Sequence, residues 1–199
     1  MYEVLAIGGS PRSGGNTDLL VKAAAQAISS ANVRVETVFL RDYSFESCRG
    51  CEKCRQSKTC TGLRDGMNLL YPLIEKSRGL ILASPVHNYN VSALVKAFID
   101  RLYCYYEFTN DRPRGWSSRL AGQDRRALIM AVAEQPDEAS AGVTMEAMRL
   151  PVEALGYRLA GSLQVLGTFD KGAVKKQPDV MVRVETLARA LVAPKEEAL

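Results

Sequence analysis

The chain has 199 residues, 47% hydrophobic and 24% charged, which suits one folded domain with a sizeable core and excludes a disordered chain. Its net charge of +4 is mildly basic, but lysines and arginines are scattered rather than striped, so nucleic acid is not an expected partner. The apolar runs at 80–83 and 127–133 are too short for a membrane span, and residues 1–9 lack a secretory pattern, so a cytoplasmic location is expected.

Residues 3–8 (EVLAIG) read as a buried strand ending in Gly8 and Gly9. After the turn residues 10–15, Asn16 and Thr17 can cap a helix that runs to about Ala31 on Leu19, Leu20, Ala23, Ala24, Ala27 and Ile28. Residues 33–40 alternate as a second strand, and 43–62 form an irregular, cysteine-rich loop. A helix over 67–74 leads to a third strand at 79–84, which Pro85 is expected to stop.

Residues 91–103 are helical again, with Asp100 and Arg101 read as a structural pair at the helix end. The stretch 108–124 has no period and reads as a functional loop or interface. A fourth strand (126–133), a helix (138–155, disturbed at Pro151), a fifth strand (158–166) and a last helix (180–192) follow. Residues 1–193 form a single domain and 194–199 a polar tail. Strands alternating with helices predict an α/β fold: three αβα layers around a doubly wound, five-stranded parallel sheet of order 2-1-3-4-5. Ligands in that order sit beyond the carboxyl ends of the first and third strands.

The loop at the first of those ends is rich in glycine and in donors: Ser10, Arg12, Ser13, Asn16 and Thr17. Glycines let a backbone approach a ligand, and a helix N-terminus favours an anion. With Gly9 and Gly14 set on the P-loop glycines, Gly15 stands where the lysine belongs, which disfavours a nucleotide triphosphate. No G-x-G-x-x-G occurs either. A terminal phosphomonoester remains, and FMN carries one.

Four of the five cysteines, Cys48, Cys51, Cys54 and Cys60, stand in C-x2-C-x2-C-x5-C spacing. An odd count argues against a disulfide framework. Thiolates in one short loop suit an iron–sulfur cluster, with zinc or free or disulfide-bonded thiols as alternatives. Cys104 lies outside the motif and reads as a small buried hydrophobe.

The loop GGSPRSGGNT, the strand exit SPVHNYN and the following SALVKAFIDR resemble the NAD(P)H-dependent FMN reductase branch of flavodoxin-like proteins. By that resemblance Ser10, Arg12, Ser13, Asn16 and Thr17 hold the FMN phosphate, and Pro85, Val86, His87, Asn88 and Tyr89 line the isoalloxazine. His87, the single histidine, is the candidate for a flavin or substrate contact. The cysteine motif resembles the iron–sulfur flavoprotein family, which implies that Cys48, Cys51, Cys54 and Cys60 ligate a [4Fe–4S] cluster beside FMN. The implied activity is an FMN-dependent oxidoreductase taking electrons from ferredoxin or NAD(P)H to a small acceptor. A plain FMN or quinone reductase with structural cysteines, and a zinc-stapled module without turnover, stay open. The aromatic segment 103–116 and the resemblance together imply a homodimer or homotetramer.

Overall fold

The fold is that of a computed structural model, which describes residues 3–194. Strand β1 (Glu3–Gly8) turns Leu5 and Ile7 to one side and Val4 and Ala6 to the other, all four fully buried. A strand covered on both faces needs helices above and below it. The neighbours repeat this: in β3 (Gly79–His87) Leu80 and Leu82 oppose Ile81 and Ala83, and in β7 (Arg125–Val132) Ala127 and Ile129 oppose Leu128 and Met130. Each such large side chain contributes about 1.5–3 kcal/mol on burial.

With β2 (Arg34–Phe39) and β8 (Tyr157–Val165) the parallel order is β2-β1-β3-β7-β8, the expected arrangement of five strands. Helices α1 (Asn16–Ser29) and α6 (Pro178–Val192) cover one face through Leu20, Ile28, Val184 and Leu191. Helices α3 (Met67–Lys76), α4 (Ala93–Arg101) and α5 (Thr144–Ala154) cover the other through Leu70, Phe98 and Met148. Residues 43–62 are irregular apart from one short turn, α2 (Cys54–Ser57).

Several expectations are corrected. Pro85 does not stop β3, which runs on to His87 and folds back antiparallel as β4 (Asn90–Val91). Asn88 and Tyr89 make that turn with φ of 51° and 63°, the left-handed geometry a two-residue hairpin needs. The helix expected from residue 91 starts at Ala93, where Ser92 caps it by accepting from the Val95 N–H. The aperiodic stretch 108–124 carries half of a hairpin, β5 (Tyr106–Phe108) against β6 (Trp116–Ser118). The helix expected over 138–155 is a 3₁₀ turn, Glu138–Ala141, then α5; it breaks at Gly142 (φ 55°) and runs through Pro151. Gly142 lies against the hairpin tip, where a Cβ would stand 2.2 Å from the Tyr89 carbonyl oxygen. Of the polar tail, residues 195–199 lie outside the described residues.

Candidate functional site

Because β2, β1 and β3 are parallel neighbours, three loops leave their carboxyl ends side by side. The first is pinned at its start: the Gly9 N–H donates to Ala83 O (2.8 Å), and Ser92 Oγ donates to Gly9 O (2.6 Å). Only glycine fits there, since a Cβ would meet Val95 Cγ2 at 2.0 Å. Helix α1 springs from extended Gly15 without a side-chain cap, so its first-turn N–H groups have no partner within the helix. That is an anion cradle.

The loop is braced from beneath by two residues that sequence reasoning missed. Asp18, fully buried, accepts the Gly14 N–H (2.7 Å) and both ends of the Arg41 guanidinium (2.9 and 2.8 Å). Arg41 also donates to Ser10 O (3.1 Å) and stacks 4.5 Å over the Phe39 ring. Nothing in their spacing announces the pair, because the two residues meet only through the β1–β2 pairing.

Two adjoining cavities, about 120 and 180 Å³, share Val86 and Glu134 in their walls. The smaller brings together Ser10, Arg12, Asn16 and Thr17 with Pro85, Val86 and His87. The larger is lined by Asn88 and Tyr89 at the hairpin tip. Of the residues expected here only Ser13 lines neither; it is exposed on the loop's outer side. Asn16 plays an unexpected part. Its amide donates to Phe169 O (3.4 Å) and Asp170 O (2.9 Å), and its Oδ1 accepts from the Val174 N–H (3.2 Å). It holds the segment after β8 as a wall, where Phe169 lies under the Arg12 guanidinium at 5.2 Å. Glu134, Thr168 and Phe169 complete the cavity from the carboxyl ends of β7 and β8. The rule that pointed to the first and third strands would have found them had it been extended to the last two.

The cysteine loop follows β2. Cys48, Cys51, Cys54 and Cys60 all line one cavity of about 210 Å³. Among the described residues, no three His, Cys, Asp or Glu side chains converge on a point that would hold a single ion. Burial first, then the neighbouring Cys60, Cys48 and Cys51 sulfurs, push the Cys54 thiol above its ordinary value. Three features fit a sulfur-rich group. The Gly50 N–H donates to Cys48 Sγ (3.5 Å), the backbone winds through left-handed Gly50, Glu52 and Lys58, and Gly62 has no room for a Cβ, which would stand 2.7 Å from Cys51 Sγ.

The loop is fastened against the β5–β6 hairpin. Arg114 pairs with Glu52 (3.0 Å), Lys58 with Glu107 (3.0 Å), and Arg119 donates to Lys58 O (2.6 Å). Behind these, Tyr103 stacks on Phe108 at 5.1 Å, and Tyr106 meets Trp116 edge-on at 5.4 Å. The aromatic segment therefore buttresses the cysteines and lines neither of the two cavities at β3. Asp100 and Arg101 are not a pair: Asp100 accepts from Lys96 one turn earlier (2.6 Å), while Arg101 turns inward to Asp65 (2.7 Å). Consecutive residues on a helix do not face each other. Cys104 is buried, which pushes its thiol up to about 12.

Comparison with known proteins bears on the fold and the family. A family model described as NADPH-dependent FMN reductase matches residues 2–168. An iron–sulfur flavoprotein of Archaeoglobus fulgidus is 38% identical over 103 residues, covering 52% of this chain and 46% of that protein. One from Methanocaldococcus jannaschii is 36% identical over 99 residues, covering 50% and 51%. In these relatives the chain spans about half of their length. Among solved structures, an NAD(P)H:quinone oxidoreductase from Methanothermobacter marburgensis superposes with a TM-score of 0.70 at 16% identity, covering 98% of this chain and 99% of that one. An FMN-dependent NADH-azoreductase from Bacillus anthracis, in complex with FMN, gives 0.68 at 15%, covering 97% and 100%. Such identities speak for the fold. With the family model covering most of its length, the chain belongs to the NADPH-dependent FMN reductase family and has iron–sulfur flavoproteins among its relatives.

Proposed function

We propose that this chain is an FMN-dependent oxidoreductase that carries a [4Fe–4S] cluster on Cys48, Cys51, Cys54 and Cys60. The observation that carries the reading is the juxtaposition of an anion cradle and a four-cysteine cavity, on loops leaving adjacent parallel strands at the same end of the sheet. FMN supplies transfer of electrons in pairs or singly and the cluster supplies single-electron transfer, so the chain's own task is binding, orientation and electrostatics.

The free N–H groups at the start of α1, with Ser10, Arg12 and Thr17, are assigned to the FMN phosphate; Ser13, exposed outside the cavity, is assigned at most a contact at the loop's rim. Asn16 serves it through the wall it holds. Pro85, Val86, His87, Asn88 and Tyr89 are assigned to the isoalloxazine, with Gly142 keeping the hairpin tip in place. His87, exposed at the end of β3, is assigned a contact with flavin or substrate. Four thiols lining one cavity from a single short loop supply the soft ligands that a [4Fe–4S] cluster takes. Ferredoxin or NAD(P)H is the proposed donor and a small molecule the acceptor. The exposed Trp116 within the aromatic hairpin supports a homodimer or homotetramer. Residues 1–193 act as one domain, in the cytoplasm.

The test is anaerobic purification with iron, sulfide and flavin analysis, followed by titration with a reductant. Flavin and cluster bands that both bleach support the reading. Flavin with no iron or sulfide supports the plain FMN or quinone reductase. Stoichiometric zinc with flavin that no pyridine nucleotide or ferredoxin reduces supports the zinc-stapled module. Either of the last two results overturns the proposal.

A further inference from the structure

Arg101 ends α4 with its side chain turned into the interior and almost wholly buried. Its Nη1 donates to Glu46 O (2.8 Å) and Asp65 Oδ2 (2.7 Å), and its Nη2 to Asp65 Oδ1 (3.0 Å). Glu46 lies two residues before Cys48 and Asp65 five after Cys60. One side chain therefore ties both ends of the cysteine loop together. The fork is not fully spent: Nε is buried and has no hydrogen-bond partner among the described residues. A buried donor left unpaired is costly, so each one in a fold asks for an explanation. Arg101 is also part of the wall of the cavity that all four cysteines line, whereas its counter-ion Asp65 is not.

We propose that Arg101 is the positioning and potential-setting residue of the cysteine site. The inference rests on the reading that the four thiolates hold a cluster. Its fork to Glu46 and Asp65 sets the loop's entry and exit. Its fixed charge, presented to the cavity with Asp65 behind it, favours whichever state of the site is more negative. When one electron enters from an external reductant, no bond forms or breaks and the negative charge rises by one. Arg101 then favours the reduced state and raises the reduction potential.

The experiment uses the full chain, purified anaerobically with its flavin, and two variants. Arg101→Lys keeps the charge without the fork. Arg101→Gln combined with Asp65→Asn removes the charge without stranding a carboxylate. The first measurement is iron and sulfide content of the unaltered chain; if neither is present, the cluster reading fails before any variant is made. With the cluster present, the double variant is expected to retain flavin and iron. At a fixed potential its ratio of reduced to oxidised cluster should fall at least tenfold, equivalent to 59 mV for one electron. Arg101→Lys is expected to keep the potential and to lose iron to a chelator at least threefold faster than the unaltered chain. Loss of iron from the double variant alone, with flavin retained, would also support the positioning role. A fully loaded double variant with an unchanged potential overturns the proposal. Should the double variant fail to fold, Arg101→Lys decides: iron loss at the unaltered rate overturns it.

Discussion

Replacing Arg41 with Gln tests whether the glycine-rich loop proposed for the FMN phosphate is held from beneath. The Arg41–Asp18 pair is no surface ion pair: the Asp18 side chain is 1% exposed and that of Arg41 15%. The guanidinium spends two hydrogen bonds on Asp18 and a third on Ser10 O, so Arg41→Gln leaves a buried carboxylate without its counter-ion. Breaking a buried pair from one side costs about 3–5 kcal/mol. In a chain of this size about 1 kcal/mol moves Tm by about 2–4 °C, so the expected drop is about 6–20 °C. Adding Asp18→Asn removes the stranded charge, and the double variant should recover at least about 1 kcal/mol relative to the sum of the single losses. FMN retention after dialysis should fall most in Arg41→Gln, where an uncompensated carboxylate stands in the first turn of α1 beneath the position proposed for the phosphate. The assay is denaturation of the flavin-free chain followed by circular dichroism, with flavin retention measured separately. A loss below about 1 kcal/mol for Arg41→Gln, or strict additivity in the cycle, would refute the brace.

Cys54→Ala is expected to abolish cluster absorption while leaving FMN bound, since the cavities at β1 and β3 share no wall residue with the cysteine cavity; joint loss of flavin and fold would instead make the loop a structural staple. In the metal-free, reduced chain, alkylation followed by mass spectrometry should label exposed Cys48 and Cys51 first. Cys54, half-buried with a raised thiol pKa, should follow more slowly, and buried Cys104 should come last. Early labelling of Cys54 would contradict the packing of the loop. Burial pushes the Asp65 carboxyl up, but hydrogen bonds from Arg101 and from the Glu46 and Met67 N–H groups outweigh it and hold the group below its ordinary 3.8. A depressed carboxyl contributes stability above the unfolded value and loses it as pH falls through the folded one. Acid unfolding of the flavin-free chain should therefore steepen below about pH 3.8, and Asp65→Asn should flatten that part of the curve. An identical acid limb in the variant would remove Asp65 from the account.

The sheet order was legible because runs such as 80–83 and 127–133 are short and apolar throughout, as a strand covered on both faces is, and helical patterns separate them. Strand–helix alternation then leaves little freedom in topology. The two loops were legible for a related reason: glycines, hydroxyls and thiols concentrated at strand exits are costly to keep unless a ligand uses them. Element ends were less so. The left-handed Asn88–Tyr89 turn carried β3 past Pro85, and Gly142, pressed against Tyr89 O, broke a helix that periodicity alone would continue.

What the sequence by itself determined is therefore local or periodic: the doubly wound order, the glycine-rich cradle, and the spacing of Cys48, Cys51, Cys54 and Cys60. Tertiary structure decided which polar groups meet across long separations. Asn16 reads as a helix cap and phosphate donor but spends its amide on residues 169, 170 and 174. Arg101 reads as the partner of Asp100, yet the twist of α4 sends it inward to Asp65, while Asp18 finds Arg41 only because β1 and β2 pair. No period or motif encodes such pairs. Their partners are fixed by where separate elements pack, and a buried charge takes whichever counter-ion the packing supplies.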